Sequence, residues 1–239
     1  MKSNNYIALP TYNEMDNIKK LVPLIFDLYS EINILVVDDN SPDGTAQEVK
    51  NLQSKYPNLH LLLREKKEGL GKAYLHAYRE LLKKKDLGCV ISMDADFSHN
   101  PKYIKQMLDE MVESDLVIGS RHMRGAGIKN YSWFRHFLSK MGSIYCCMVF
   151  RRIIWDWTNS FSCVKSEYLR KVDFSKIESF SGYAFIIALK YHLILAGVKF
   201  KEIPIIFEER REGQSKITGS IIWEEFTTPL KLVFRRGKK

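Results

Sequence analysis

Two carboxylates set two residues apart, Asp94 and Asp96, close an apolar run and open the segment DADFSHNP at 94–101. With Ser98 and His99 next, this pattern suits a hard divalent cation. Such an ion takes one or two carboxylates from the protein and completes its shell with substrate phosphates. Bound there, it would neutralise a departing diphosphate. Structural zinc would need a nearby His/Cys set, which the sequence lacks; His99 alone reads as a polar loop residue. Other segments carry related chemistry. In PTYNE, 10–14, Tyr12 can stack on a planar ring and Glu14 can accept hydrogen bonds from sugar hydroxyls or base nitrogens. In DDNSPDGT, 38–45, Asp39 is placed for a nucleotide contact, while Ser41, Asp43 and Thr45 can cap a helix. GLGKAY, 69–74, sets glycines at a helix start, where the backbone can approach an anion. It is neither a dinucleotide fingerprint nor a Walker loop. GSR, 119–121, supplies Arg121, and FEERREGQSK, 207–216, supplies Arg210, Arg211, Ser215 and Lys216 on a glycine-containing basic loop able to fold over an anionic ligand. Each segment alone also reads as a polar turn or a surface ion pair.

The elements that must position these segments follow from the apolar pattern. Short runs at 5–9, 32–37, 59–63, 88–93 and 115–119 predict strands, with helices near 14–29, 43–55, 70–86 and 101–113. Asn100 before Pro101 is a cap and first-turn pair. Strands alternating with helices imply βαβ units, a mainly parallel sheet and ligands at the carboxyl ends of the strands. The second half is less regular. It predicts a helix at 133–150, an extended segment near 160–165, helices at 166–172 and 182–196, a strand at 198–207 and an amphipathic helix at 219–235. We expect one domain over 1–218, with a nucleotide-binding half 1–120 and an acceptor-facing half 121–218, and a basic extension 219–239.

The charge divides along the same line. The chain has 239 residues and a net charge of +9, but residues 1–120 hold 15 basic and 18 acidic side chains against 22 and 10 in 121–239. The window 121–152 contains Arg121, Arg124, Lys129, Arg135, Lys140, Arg151 and Arg152 and no acid. It suggests a polyanion such as phosphate groups or an anionic membrane surface. Nucleic acid is disfavoured because no aromatic-basic recognition motif accompanies it. The longest apolar stretch, 183–198, contains Lys190 and His192 and is too short to span a bilayer. The four cysteines, Cys89, Cys146, Cys147 and Cys163, show no disulfide or metal spacing, which suits a reducing compartment.

In this order PTYNE, VVDDNSPDGT, GLGKAY, MDADFSHNP, GSR, DWTNSF and IPIIFEERREGQSK span almost the whole chain. Together they resemble glycosyltransferase family 2, and within it the polyprenol-phosphate mannosyltransferases. The resemblance implies an α/β GT-A fold, a mainly parallel central sheet with helices on both faces, and inverting transfer of mannose from GDP-mannose to a polyprenyl phosphate. By the same resemblance Pro10, Tyr12, Glu14, Val37 and Asp39 hold guanosine. Asp94, Ala95 and Asp96 form the metal and diphosphate site, with Ser98 near the ion, which would be Mg or Mn. Arg121, Arg135, Arg210 and Lys216 grip the donor diphosphate and the acceptor phosphate, and Ser215 shares the closing loop. Asp96, Arg210 and Lys216 are the residues expected to act in catalysis. The implied location is cytoplasmic, peripheral on the cytoplasmic face of a membrane, held by amphipathic elements such as 133–150 or by a small membrane-anchoring subunit. The chain departs from the family pattern at Ser162, where the family has Arg, and at Ile186 and Ala188, where it has a polar pair. Other readings are a family 2 transferase using a UDP-sugar or another acceptor, and a non-catalytic nucleotide-sugar-binding subunit.

Overall fold

In the computed structural model, residues 4–129, 133–208 and 219–236 are described. The first half is a run of βαβ units: β1 Asn4–Thr11, α1 Met15–Leu28, β2 Asn33–Asp38, α2 Thr45–Gln53, β3 Leu59–Leu63, α3 Leu70–Leu81, β4 Leu87–Ser92, α4 Tyr103–Glu110 and β5 Leu116–Ser120. The second half adds β6 Gly127–Lys129, α5 Trp133–Phe150, β7 Ser162–Lys165, the one-turn α6 Ser166–Leu169, α7 Gly182–Leu195, β8 Phe200–Pro204, β9 Ile206–Glu208 and α8 Gly219–Arg236. Seven strands form one sheet in the order β3-β2-β1-β4-β7-β5-β8, and β6 pairs with β9 apart from it. All pairings in the large sheet are parallel except those of β7 with β4 and β5.

Strand pleating sends alternate residues to opposite faces. Tyr6, Ala8, Leu35 and Val37 pack under α3, α5, α7 and α8, whereas Ile7, Leu9, Ile34 and Val36 pack under α1, α2 and α4. The sheet is therefore covered on both faces, as a mainly parallel sheet requires. The segment 198–207 divides into β8 and β9, because each half pairs with a different strand.

The antiparallel β7 decides what meets at the ligand end. Ser162 opens β7 and pairs with Ser92, the last residue of β4, and with Ile118 near the end of β5. The loop before β7, residues 151–161, therefore lies at the carboxyl ends of its two neighbours. Ser162 itself sits within this ladder as a strand residue. Ile186 and Ala188 of α7 are buried in the apolar core.

Gly71 explains part of GLGKAY. A Cβ there would lie 2.8 Å from Phe185 Cβ, so the glycine lets α3 pack against α7.

Candidate active site

Three loops at the carboxyl ends of β1, β2 and β4 form one rim. Each contains one non-glycine residue in the left-handed region: Asn13 (φ 59°), Asn40 (φ 55°) and Phe97 (φ 63°). Asparagine tolerates this conformation, but a bulky Phe does so only under constraint from its surroundings. The loops after β1 and β2 brace one another. Asp38 accepts hydrogen bonds from Thr11 Oγ1 (2.9 Å), Ser41 N (2.9 Å) and Ser41 Oγ (2.6 Å). Ser41 Oγ in turn accepts from Asn13 N, and Thr45 Oγ1 accepts from Glu14 N. Asp43 accepts from Thr45 N and Met15 N, tying the first turns of α1 and α2 together.

The expected nucleotide residues lie on this rim. Pro10 and Val37 pair across β1 and β2, and both are buried, so Val37 faces the core and offers a ligand only its backbone. Tyr12 carries Lys67 Nζ 3.7 Å above its ring. Glu14 is buried and accepts from Asn17 Nδ2 at 2.6 Å. Asp39 pairs with Arg64 Nη1 at 2.5 Å and accepts a long 3.4 Å bond from Glu68 N. Burial outweighs this support and raises the Asp39 carboxyl above its ordinary range.

Asp94 and Asp96 follow β4. Asp94 Oδ1 accepts from Tyr74 Oη at 2.8 Å, and Ser160 Oγ lies 3.1 and 3.2 Å from its two oxygens. Burial and the Asp94 charge raise the Tyr74 phenol, which stays a donor. His99 is buried beneath the loop. Its Nδ1 accepts from Asp94 N (3.0 Å), so Nε2 carries the proton and donates to Asn159 Oδ1 (2.9 Å), while Asn159 Nδ2 donates to Gly119 O (2.7 Å). His99 thus positions Asp94. Asp96 Oδ1 accepts from Ser98 N (3.1 Å) and Ser98 Oγ (2.6 Å). Ser98 therefore orients Asp96, and Ala95 between the carboxylates is buried in the core. No group of three His, Cys, Asp or Glu side chains able to hold a metal occurs among the described residues. The donor set is two oriented carboxylates and hydroxyls, which fits a hard divalent ion that completes its shell with substrate oxygens.

Beside Asp94 lies the loop DWTNS, 156–160, held by charges from several elements. Arg121 reaches Asp156 through Nε (2.7 Å) and Nη2 (2.8 Å) and also donates from Nη2 to Thr158 (2.7 Å) and Ser139 (3.0 Å). Its guanidinium is committed to this loop, which gives Arg121 a positioning place beside its expected phosphate role. Asp156 is fully buried, yet Arg121 and Lys190 hold its carboxyl well below the usual range against the cost of desolvation. Lys190 Nζ donates to the carbonyls of Asp156, Trp157 and Asn159. Glu202 accepts from the amides of Trp155 (2.8 Å) and Asp156 (3.0 Å), and burial raises its carboxyl. His122, next to Arg121, is pushed down to about 4 by burial.

The side chain of Arg135, and all of Arg210, Ser215 and Lys216, lie outside the described residues. The residues that sequence reasoning missed are Arg64, Tyr74, Ser160, Lys190 and Glu202. Tyr74 sits inside GLGKAY and Ser160 inside DWTNSF, so the motifs held them without revealing their partners. Lys190 stood out only as a charge within the apolar stretch 183–198, and Arg64 and Glu202 gave no signal.

On the face away from α1, two helices expose apolar stripes: Phe137, Met141, Ile144 and Met148 on α5, and Trp223, Phe226 and Leu230 on α8. Between them Tyr145 of α5 stacks on Phe226 of α8 and donates to its carbonyl. Among the described residues no helix is long and apolar enough to cross a membrane.

Comparisons with known proteins agree with this architecture. The chain is 35% identical over 216 residues to an undecaprenyl-phosphate mannosyltransferase of Micrococcus luteus, covering 90% of this chain and 88% of the relative. It is 37% identical over 220 residues to a polyprenol monophosphomannose synthase of Mycolicibacterium smegmatis, covering 91% and 82%. Among solved structures, a glucosyl-3-phosphoglycerate synthase from Mycobacterium tuberculosis, in complex with Mn2+, UDP and glucosyl-3-phosphoglycerate, superposes with TM-score 0.67 at 14% identity, over 99% of this chain and 81% of that one. That likeness shows the GT-A fold. The sequence model of Glycosyl transferase family 2 matches residues 6–177, from β1 through the metal-type carboxylates and the DWTNS loop, and the chain belongs to that family.

Proposed function

We propose that the protein transfers mannose from GDP-mannose to a polyprenyl phosphate with inversion at the anomeric carbon. The observation that carries this reading is likeness over nine-tenths of the chain to two relatives whose names state mannosyl transfer to polyprenyl phosphates. The site suits the chemistry. An acceptor phosphate is already ionised at neutral pH, so no protein base is needed. Its oxygen forms a bond to the anomeric carbon as the bond to the donor diphosphate breaks, and GDP departs with both electrons. The chain's contribution is positioning and charge stabilisation.

Asp94 and Asp96 would hold a divalent ion, Mg or Mn, which when bound stabilises charge on the leaving diphosphate. Tyr74, Ser160 and Ser98 orient those carboxylates. Tyr12, Glu14 and Asp39 line the donor end, and Arg210, Ser215, Lys216 and Arg135 are assigned to the phosphates by resemblance alone. The exposed stripes of α5 and α8, beside the acid-free window 121–152, support peripheral attachment to an anionic membrane surface on the cytoplasmic face.

Incubating the protein with labelled GDP-mannose, Mg2+ or Mn2+ and polyprenyl phosphate should give labelled lipid. Chelation should abolish the product, and Asp96→Ala should lower kcat by about 10²- to 10³-fold. Transfer from UDP-glucose but not from GDP-mannose would overturn the donor assignment.

A further inference from the structure

Lys190 has no part in the proposed chemistry, yet it is a buried cation beside the site. It lies on α7, 2% exposed, in a stretch that is otherwise apolar. Its Nζ donates to three backbone carbonyls of one loop: Asp156 (2.8 Å), Trp157 (3.2 Å) and Asn159 (2.8 Å). An ammonium has three N–H donors, so all three are used. A buried lysine without such partners would be costly, and the Asp156 carboxylate supplies the opposing charge.

The geometry of the loop follows from this anchor. With three carbonyls turned toward α7, the loop's side chains serve the site. Thr158 meets Arg121, Asn159 holds His99 and the Gly119 carbonyl, and Ser160 donates to Asp94. His99 in turn accepts the Asp94 amide. Asp94 is thus held by two routes that both begin in the loop fixed by Lys190. The resemblance places a polar pair at positions 186 and 188 of this helix, where the chain has Ile186 and Ala188, both buried in the core. Lys190 lies one helical turn after Ile186 and on the same face.

We infer that Lys190 is a positioning residue for the metal-binding carboxylate: it fixes the DWTNS loop so that Ser160 and His99 hold Asp94 in the geometry that receives the ion. The inference rests on the proposed reading of Asp94 as a metal ligand.

The test is calorimetric titration of GDP in the presence of Mn2+, alongside transfer kinetics. Lys190→Met keeps the apolar stem and removes the donors. It should weaken Mn2+-dependent GDP binding by about 10- to 100-fold, the range for groups that orient metal ligands. Transfer kcat should fall while KM for the lipid phosphate stays within about twofold, because these groups act on the metal side. Lys190→Arg keeps the charge, but its planar fork cannot converge on three carbonyls, so it should show the same loss. Wild-type GDP affinity and kcat in a folded Lys190→Met would overturn the inference, as would full rescue by Lys190→Arg.

If Lys190→Met does not fold, Ser160→Ala carries the test, since it removes only the hydroxyl that joins the loop to Asp94. Unchanged Mn2+-dependent GDP binding in Ser160→Ala would then overturn it. So would a wild-type protein that binds GDP no better with Mn2+ than without. A wild type that binds Mn2+ and GDP but transfers no mannose to polyprenyl phosphate would defeat the functional reading and leave the Lys190 comparison readable by calorimetry.

Discussion

Asp39 and Asp156 are both buried aspartates paired with a buried arginine, Asp39 just after β2 and Asp156 in the loop before β7. Their carboxyls move in opposite directions. Asp39 is raised because desolvation exceeds the support of one Arg64 nitrogen and one long amide bond. Arg64 Nε has no hydrogen-bond partner among the described residues. Asp156, more deeply buried, is lowered because two nitrogens of Arg121, the amides of Arg121 and Asn159, and the Lys190 charge outweigh desolvation. The difference separates a carboxylate with few partners from one held on every side. Asp39 retains acceptor capacity, which under the proposed reading a nucleoside's N–H or O–H donors would satisfy. Asp156 has its capacity filled by its own chain.

The largest expected effect comes from cutting the filled pair. Arg121→Met leaves Asp156 buried and unpaired, which should cost about 3–5 kcal/mol, read as a lower urea midpoint. The matching cut, Arg64→Met, should cost less, because one Arg64 nitrogen reaches Asp39 where two Arg121 nitrogens reach Asp156. Equal losses would erase the distinction. Next, Asp39→Asn should leave the urea midpoint nearly unchanged, since Arg64 keeps Glu68 at 2.7 Å. It should weaken GDP binding by about 1.5–3 kcal/mol, the value of a hydrogen bond to a charged group, measured by calorimetry. The pH signs also differ. Asp39, with its folded pKa raised, costs stability when ionised, and that cost is relieved as pH falls through the raised value. Asp156, with its folded pKa lowered, contributes stability that is fully present above the unfolded value and is lost as pH falls through the folded one.

The same contrast explains what could be read from sequence. The first half declares itself locally, since each strand, polar turn and capping pair is consecutive. The expected strands at 5–9, 32–37 and 59–63 therefore lie on β1, β2 and β3 to within two residues. The rim of loops followed, because parallel winding brings the carboxyl ends of β2 and β4 to either side of β1. The second half is built from distant partners. Arg121 and Asp156 are 35 residues apart, Lys190 and Asn159 are 31, and Asp94 and Ser160 are 66. No periodicity reveals such pairings. The antiparallel entry of β7 brings the loop before it to the carboxylates, and an extended stretch at 160–165 carries no sign of its direction. Lys190 read as an interruption in an apolar stretch, because a buried charge is recognisable only once its acceptors are in view.

A third aspartate gives the smallest effect and tests whether burial is what separates the other two. Asp43 is exposed, yet its carboxyl is lowered. Desolvation is the largest single influence on it, but hydrogen bonds from the Thr45 hydroxyl (2.6 Å), Met15 N (3.0 Å) and Thr45 N (2.9 Å) together overcome it. It resembles Asp156 in being filled by its own chain, but its partners are backbone amides and a hydroxyl in place of a buried cation. Asp43→Ala should therefore cost about 1 kcal/mol, the scale of a lost helix cap, with little effect on Asp94 and Asp96. Because the folded pKa is lowered, the stability that Asp43 contributes should be intact above the unfolded carboxylate value. It should disappear as pH falls through the folded one, so that wild type and Asp43→Ala converge in urea midpoint in acid and separate toward neutral pH. If the two remain equally separated across that range, hydrogen bonding to the ionised carboxylate is not what lowers it, and partner number would fail to explain Asp156 as well.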